Sequence, residues 1–343
     1  MNPCFFVIVL LHSSLATAVN FKQVFDWRHG LDYEWSSEES RIKALKDGSF
    51  KPGKIEPRYM AVYKTRIFLS LETSSNIPVS LVSLPTRSAS SASPKLTPFP
   101  SWNIHGKGDC FKIEAAKGLQ VDSVGRLWVL DEGSRNCSTK LWTIYLSTIH
   151  HTKLIHRFSF HFYANDLLLD ETPNGTLAYI SRRHQRHIVV FSLDSKETWI
   201  LETPGIEVLS IALSPNNKEE PRQLYLSKWN SNELYSISVD ALRKGTPTTN
   251  PKLIGKWTGT PCKMAMDNHG TIYASFWWKH YIRSWDTSQP FEEQRFYEEK
   301  SIFRDNNVRG NHARFTWSLR ATDLSQPSIY EEIESDACED KDF

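Results

Sequence analysis

The chain has 343 residues, with 41 Lys+Arg against 39 Asp+Glu, 40% hydrophobic residues, 12 Trp and 5 Cys. This composition excludes a disordered chain and a disulfide-built miniature, and it fits one large β domain as well as two smaller ones. A formal net charge of +2 provides no basic face able to track a phosphate backbone, so nucleic acid is not an expected partner.

In chain order, the first feature is an unbroken apolar run from Phe5 to Leu11, followed by Ala16-Thr-Ala18. The run is too short to cross a membrane, which takes about 20 apolar residues. Its position and the small-x-small site predict a signal peptide over residues 1–18, cleaved after Ala18, and a secreted product. No later stretch is apolar enough for a membrane span. Without Cys4 the chain keeps Cys110, Cys137, Cys262 and Cys338, an even set suited to an oxidising compartment, with three possible pairings. The short loop favours Cys110 with Cys137, and Cys262 with Cys338 follows only by elimination. Sequons at Asn136 and Asn174 predict glycosylated surface loops.

Ser37 to Lys46 reads as a short N-terminal helix capped by Ser36 or Ser37 and stopped at Gly48. After it, one unit recurs: an apolar segment, a polar turn, then a second alternating segment. The copies are Tyr59–Leu71, Gly118–Asp131, Asn165–Ile180, Leu209–Pro215 with Gln223–Leu226, Lys263–Ser275 and a worn Arg314–Leu319. The first apolar residue after each turn is Ile67, Leu127, Leu177, Leu224, Ile272 and Phe315, a spacing of about 40–60 residues that matches propeller blades. The expected fold is therefore all-β, a six-bladed β-propeller over residues 19–330, with the inner strands lining a central channel. Outer strands are expected at Leu141–Leu146, His187–Leu193 and Tyr281–Trp285. Residues 331–343 form an acidic C-terminal tail.

Chemistry on the channel is sparse. Calcium-dependent lactonases share the six-bladed fold, and Glu56 and Asn165 could take two places of their metal ring. The other two places fall on Leu209 and on Cys262 or Lys263, which offer no hard oxygen, so no metal is expected. His184-Gln-Arg-His187, beside Arg182 and Arg183, reads as an exposed hairpin tip, because histidines three apart on a strand face opposite sides. The chain has no nucleophile elbow, phosphate loop or zinc-protease motif, and no cofactor is implied. The remaining candidates are aromatic. Phe276 and Trp278 share one face at the end of the fifth hairpin, and Trp317 lies in the sixth. Such rings could line a channel mouth and hold a flat or cationic small molecule, or they could be packing between blades.

Several stretches resemble the insect yellow and major royal jelly proteins: Glu38–Leu45 with Gly48–Pro52, Arg66–Ser70, Pro98–Trp102, Gly125–Asp131, Ala178–Ser181, Ile211–Pro215 and Ala265–Asp267. The resemblance runs from about Phe25 to Asp323 and independently implies a secreted six-bladed propeller. It places Cys110 and Cys137 where yellow-type members have a bridged pair. A second family pair is absent, with Val124 and about Asn174 at its places. With the aromatic residues named above, the channel candidates are Asn165, Phe276, Trp278, Trp317 and Arg320. In salivary members an Asn in the sixth blade helps hold a biogenic amine. Here Leu319 stands in its place with Arg320 beside it, which disfavours an ammonium ligand. Three functions are expected to compete. The first is a non-enzymatic binder of a small aromatic or amine-derived molecule in pigmentation, cuticle or salivary secretion. The others are a dopachrome-converting enzyme and a ligand-free structural or nutritive protein.

Overall fold

The computed structural model describes residues 27, 30–73, 77–86, 93–147, 151–216, 221–276 and 281–298. Helix α1 (Glu38–Lys46) is the first helix of the described residues. The Ser37 side chain accepts from the Ser40 amide at its start, and Gly48 at φ +74° lies just beyond its end. Twenty strands follow in five four-stranded antiparallel sheets. Blade 1 contains β1 (Ile55–Tyr63), β2 (Arg66–Thr73), β3 (Leu81–Pro85) and β4 (Thr97–Pro98). Blade 2 contains β5 (Ala116–Val121), β6 (Arg126–Asp131), β7 (Lys140–Tyr145) and β8 (Thr152–Arg157), and blade 3 contains β9 (Ala164–Thr172), β10 (Gly175–Arg182), β11 (His187–Ser192) and β12 (Thr198–Glu202). Blade 4 contains β13 (Val208–Leu213), β14 (Gln223–Lys228), β15 (Glu233–Ser238) and, after the short helix α2 (Val239–Arg243), β16 (Lys252–Lys256). Blade 5 contains β17 (Pro261–Met266), β18 (Thr271–Phe276), β19 (Tyr281–Asp286) and β20 (Gln294–Glu298).

Each sheet is a simple up-and-down meander, and the first strands β1, β5, β9, β13 and β17 pack against one another in sequence. That arrangement is a β-propeller with these five strands around its axis. The described residues contain five blades where the sequence repeat predicts six. The expected sixth copy, Arg314–Leu319, lies outside the described residues, as do the expected signal peptide and the acidic tail.

In blades 2 and 5 the first turn of the hairpin is built by an aspartate. Asp122 accepts from the Arg126 amide at 2.8 Å and from the Trp128 indole at 2.7 Å. In blade 5, Asp267 accepts from the Thr271 amide at 2.9 Å and the Tyr273 hydroxyl at 3.0 Å. Gly125 and Gly270 close these turns at φ +81° and +85°, a region that side chains with a Cβ rarely enter. Apolar side chains fill the spaces between neighbouring blades. Phe68, Leu81 and Phe99 of blade 1 meet Leu119, Leu127 and Trp142 of blade 2, and Tyr179, Ile188 and Val190 of blade 3 meet Ile211, Leu224 and Ile237 of blade 4. The Cys110–Cys137 disulfide is formed. It ties the segment entering blade 2 to the loop between β6 and β7, and the carboxylate of Asp131 organises the same region by accepting from the amides of Glu114, Ala115 and Gly133.

His105, 7% exposed, fastens the chain between blades 1 and 2, with Nε2 2.9 Å from the Phe99 carbonyl oxygen. Burial pushes its pKa down to about 4, so the folded protein holds it neutral. The unfolded chain takes up that proton near pH 6.5, and stability therefore falls as pH drops from about 6.5 to 4, by up to about 3 kcal/mol from this group. Urea unfolding at pH 7 and pH 4.5 measures the loss, and the pH dependence should flatten in His105→Gln, which keeps a donor for Phe99 but does not titrate.

Candidate functional site

All five inner strands carry the same irregularity near their starts. Between Pro57 and Met60, Ala116 and Leu119, Ala164 and Leu167, Val208 and Ile211, and Pro261 and Met264, two residues oppose one on the second strand. These bulged pairs are Arg58/Tyr59, Lys117/Gly118, Asn165/Asp166, Leu209/Ser210 and Cys262/Lys263. A bulge bends the strand and re-aims its side chains, and it leaves an amide without its ladder partner. In blades 1, 3 and 4 a serine on the second strand takes that amide: Ser70 accepts from Tyr59 N at 3.1 Å, Ser181 from Asp166 N at 3.0 Å and Ser227 from Ser210 N at 2.9 Å. Ser275 holds the equivalent place in blade 5, against the Cys262 thiol. Blade 2 has Leu130 there and relies on Gly118, where a Cβ would come within 2.8 Å of the Leu167 backbone nitrogen.

The bulges bring polar side chains from different blades to one point on the axis. Asp166 accepts from the Tyr59 hydroxyl at 2.9 Å, the Ser210 hydroxyl at 2.5 Å, the Ile211 amide at 2.9 Å and the Lys263 ammonium at 2.6 Å. These donors come from blades 1, 4 and 5, and the Lys263 ammonium also lies 4.1 Å from the centre of the Tyr59 ring. Asn165, 3% exposed, spends its amide on the Leu209 carbonyl at 2.7 Å, so it braces blade 3 against blade 4.

A second network lies beside the first. Glu72, at the end of β2, pairs with Arg58 at 3.2 Å and Lys117 at 2.6 Å, and Lys117 reaches Glu132 at 3.4 Å. Burial alone would raise the Glu72 pKa, but Lys117 and Arg58 outweigh it and hold the carboxyl below its ordinary value. Burial acts the other way on Lys263 and pushes its ammonium down despite Asp166. Burial likewise raises the Cys262 thiol, which is inert in that form. The Arg58 and Lys263 side chains nevertheless keep 21% and 28% of their surface accessible.

The aromatic candidates fall elsewhere. Phe276 is 4% exposed and packs on Trp257 and Tyr281, so its ring is blade filling. Trp278, Trp317 and Arg320 lie outside the described residues, as does Cys338, and Cys262 has no disulfide partner among those described. Asn136 and Asn174 are both exposed. Among the described residues no group of three His, Cys, Asp or Glu is placed to hold a metal, and no helix is long and apolar enough to cross a membrane. Sequence reasoning reached Asn165 and missed Arg58, Tyr59, Lys117, Asp166 and Lys263. The available signal was a charge standing inside an otherwise apolar inner strand.

The sequence model of the major royal jelly protein family matches residues 115–208 and 204–305. Major royal jelly protein 3 of Apis mellifera is 34% identical over 136 residues, which cover 38% of this chain and 25% of that protein. Major royal jelly protein 1 of the same species is 31% identical over 128 residues, 36% of this chain and 29% of the relative. Protein yellow of Drosophila subobscura is 29% identical over 130 residues, 37% of this chain and 23% of the relative. The matched stretches thus span less than a third of these relatives' own length. The family match takes in blades 2 to 5, more than half of the sequence and four of the five bulged inner strands, and the chain belongs to the major royal jelly protein family.

Proposed function

We propose that the protein is a secreted, non-enzymatic binder of a small aromatic molecule, which it takes up at the mouth of the propeller channel. One observation carries this reading: five bulged strands turn charged and hydroxyl-bearing side chains toward the axis, and Arg58 and Lys263 stay partly accessible there. A propeller that needed only a packed centre could fill it with apolar side chains at lower desolvation cost. Secretion is supported by the Cys110–Cys137 disulfide, by the apolar N-terminal run and by the exposed sequons at Asn136 and Asn174. A sixth blade completes the ring in this reading. Its support is in the sequence, where Ser318 follows Phe315 by three residues, as Ser70, Ser227 and Ser275 follow Ile67, Leu224 and Ile272.

The test is a thermal-shift screen of the full chain against phenolic, catecholic and indolic compounds, with each hit titrated by calorimetry. A ligand at 100 times its Kd should stabilise the fold by about 2.7 kcal/mol, seen as a rise of several degrees in Tm with one-to-one stoichiometry. A screen in which no compound moves Tm or releases heat would remove the binding function and leave a structural or nutritive role.

A further inference from the structure

We infer that the channel mouth selects an acid: an aromatic molecule bearing one carboxylate, received by Arg183. This inference rests on the reading of the channel as a small-molecule site and narrows its ligand.

Charge arithmetic at the mouth comes first. The three carboxylates there are all engaged: Glu72 by Arg58 and Lys117, Glu132 by Lys117, and Asp166 by Lys263. Arg183, in the turn between β10 and β11, is the fourth cation. It forms no ion pair with a described residue, and its Nε is buried without a hydrogen-bond partner among them. Arg182, the residue before it, pairs with Ala164 next to the bulged Asn165/Asp166, so the turn stands at the end of blade 3 that carries the Asp166 network, and the Arg183 charge helps to hold the Glu72 carboxyl down. Its neighbour Arg182 faces away and lies over the Phe160 ring at 3.8 Å. A buried N–H without an acceptor costs free energy, and a guanidinium gains most from a carboxylate, which it meets with two parallel bonds. An incoming ammonium would find these three carboxylates engaged and, beside them, a cation with no ion pair among the described residues.

The aromatic half of the ligand is indicated by what surrounds Arg183. Its amide donates to the Tyr163 carbonyl at 2.8 Å, so the turn is fastened to the loop entering blade 3. Rings run along that seam: Tyr163 to His184 at 5.4 Å, and His184 to Trp229 at 4.6 Å, with Phe162 6.5 Å behind Tyr163. Phe162 and Tyr163 are 38% and 45% exposed. Phe162, Tyr163 and His184 hold φ values of 58°, 65° and 62°, a region that costs about 1–3 kcal/mol per residue and persists where the surroundings impose it. Strained, solvent-facing rings beside an arginine that has no ion pair among the described residues form a stacking surface with an anion receptor at its edge.

The experiment titrates the full chain by calorimetry with three compounds that share one ring: indole-3-acetate, the neutral alcohol tryptophol and the amine tryptamine. Indole-3-acetate should bind at least about tenfold tighter than tryptamine, with an affinity that falls as salt rises. Arg183→Gln should erase the preference for the acid over tryptophol without weakening tryptophol itself, and Arg183→Lys should restore part of it. Tryptamine binding as tightly as the acid, or an acid preference that survives Arg183→Gln in a folded variant, overturns the inference and leaves the small-molecule reading intact. Failure of all three compounds to bind, with phenolic and catecholic compounds inert as well, overturns both.

Discussion

Asp166→Ala should lower the stability of the folded protein by about 3–4 kcal/mol, the range for removing one partner of a buried pair. The carboxylate is 0% exposed and is the common acceptor for Tyr59, Ser210, Ile211 and Lys263. Truncation strands all four donors near the axis, and Lys263, already pushed down by burial, loses the charge that favours its ammonium. The estimate sits toward the lower end because the Lys263 side chain keeps 28% of its surface accessible and can recover some hydration. Asp166→Asn should cost roughly half as much, since its carbonyl oxygen still serves Ser210 and Ile211 but gives Lys263 no counter-charge. Adding Lys263→Met to Asp166→Asn should then restore stability, because an apolar side chain leaves no unpaired charge. Guanidinium unfolding of the four proteins measures this. A loss under about 1 kcal/mol for Asp166→Ala would show that water fills the mouth and supports the donors.

The ease with which the fold is read from the sequence, and the difficulty of reading the site, have the same cause. The first three strands of a blade are rich in apolar residues because they are buried between neighbouring blades. Accordingly β7, β11 and β19 stand at Leu141, His187 and Tyr281 as expected. Strands β3 and β15 were not anticipated, nor were the fourth strands β4, β8, β12, β16 and β20. The fourth strands are outermost, β8, β12 and β16 are mostly exposed or half-buried, and their sequences, such as Lys252-Leu-Ile-Gly-Lys256, have little alternation to detect.

At the channel, alternation misleads. A bulge inserts one residue and reverses the facing of everything before it. Phe276 lies in the core on β18, the strand without the extra residue, whereas Lys263 and Asp166, each in a bulge, meet in one network. The recurring serine was visible at Ser70, Ser181, Ser227 and Ser275. It marks the bulge only once it is known that an amide there lacks its ladder partner. Arg183 was read as part of an exposed tip, and the turn is indeed there.

Asp170→Ala should cost about 3 kcal/mol, and the loss carries a pH signature of its own. Asp170 stands near the end of β9, fully buried, and binds Arg222 and Arg243 of blade 4 as well as the Tyr179 hydroxyl at 2.5 Å. It is therefore a clamp between blades 3 and 4, whereas Asp122, the residue at the corresponding turn of blade 2, is spent on Arg126 and Trp128 of its own hairpin. Burial would raise the Asp170 pKa, but the Arg243 and Tyr179 hydrogen bonds and the Arg222 charge outweigh it and hold the carboxyl below its ordinary 3.8. A carboxyl depressed in the folded state stabilises the protein fully above its unfolded pKa, and that contribution disappears as pH falls through the folded value. The wild type should therefore lose the clamp only below about pH 4, a window lower than that of His105. Asp170→Asn should already be destabilised at pH 7 and should lose less on further acidification. Truncation exposes the cost of two arginines, Arg222 at 14% and Arg243 at 31% exposure, of which the less exposed cannot reach water without opening the seam. Hydrogen exchange localises the effect, with amides of β10, β14 and α2 losing protection together. Uniform loss across all blades would instead show that the propeller unfolds as one unit whichever seam is cut.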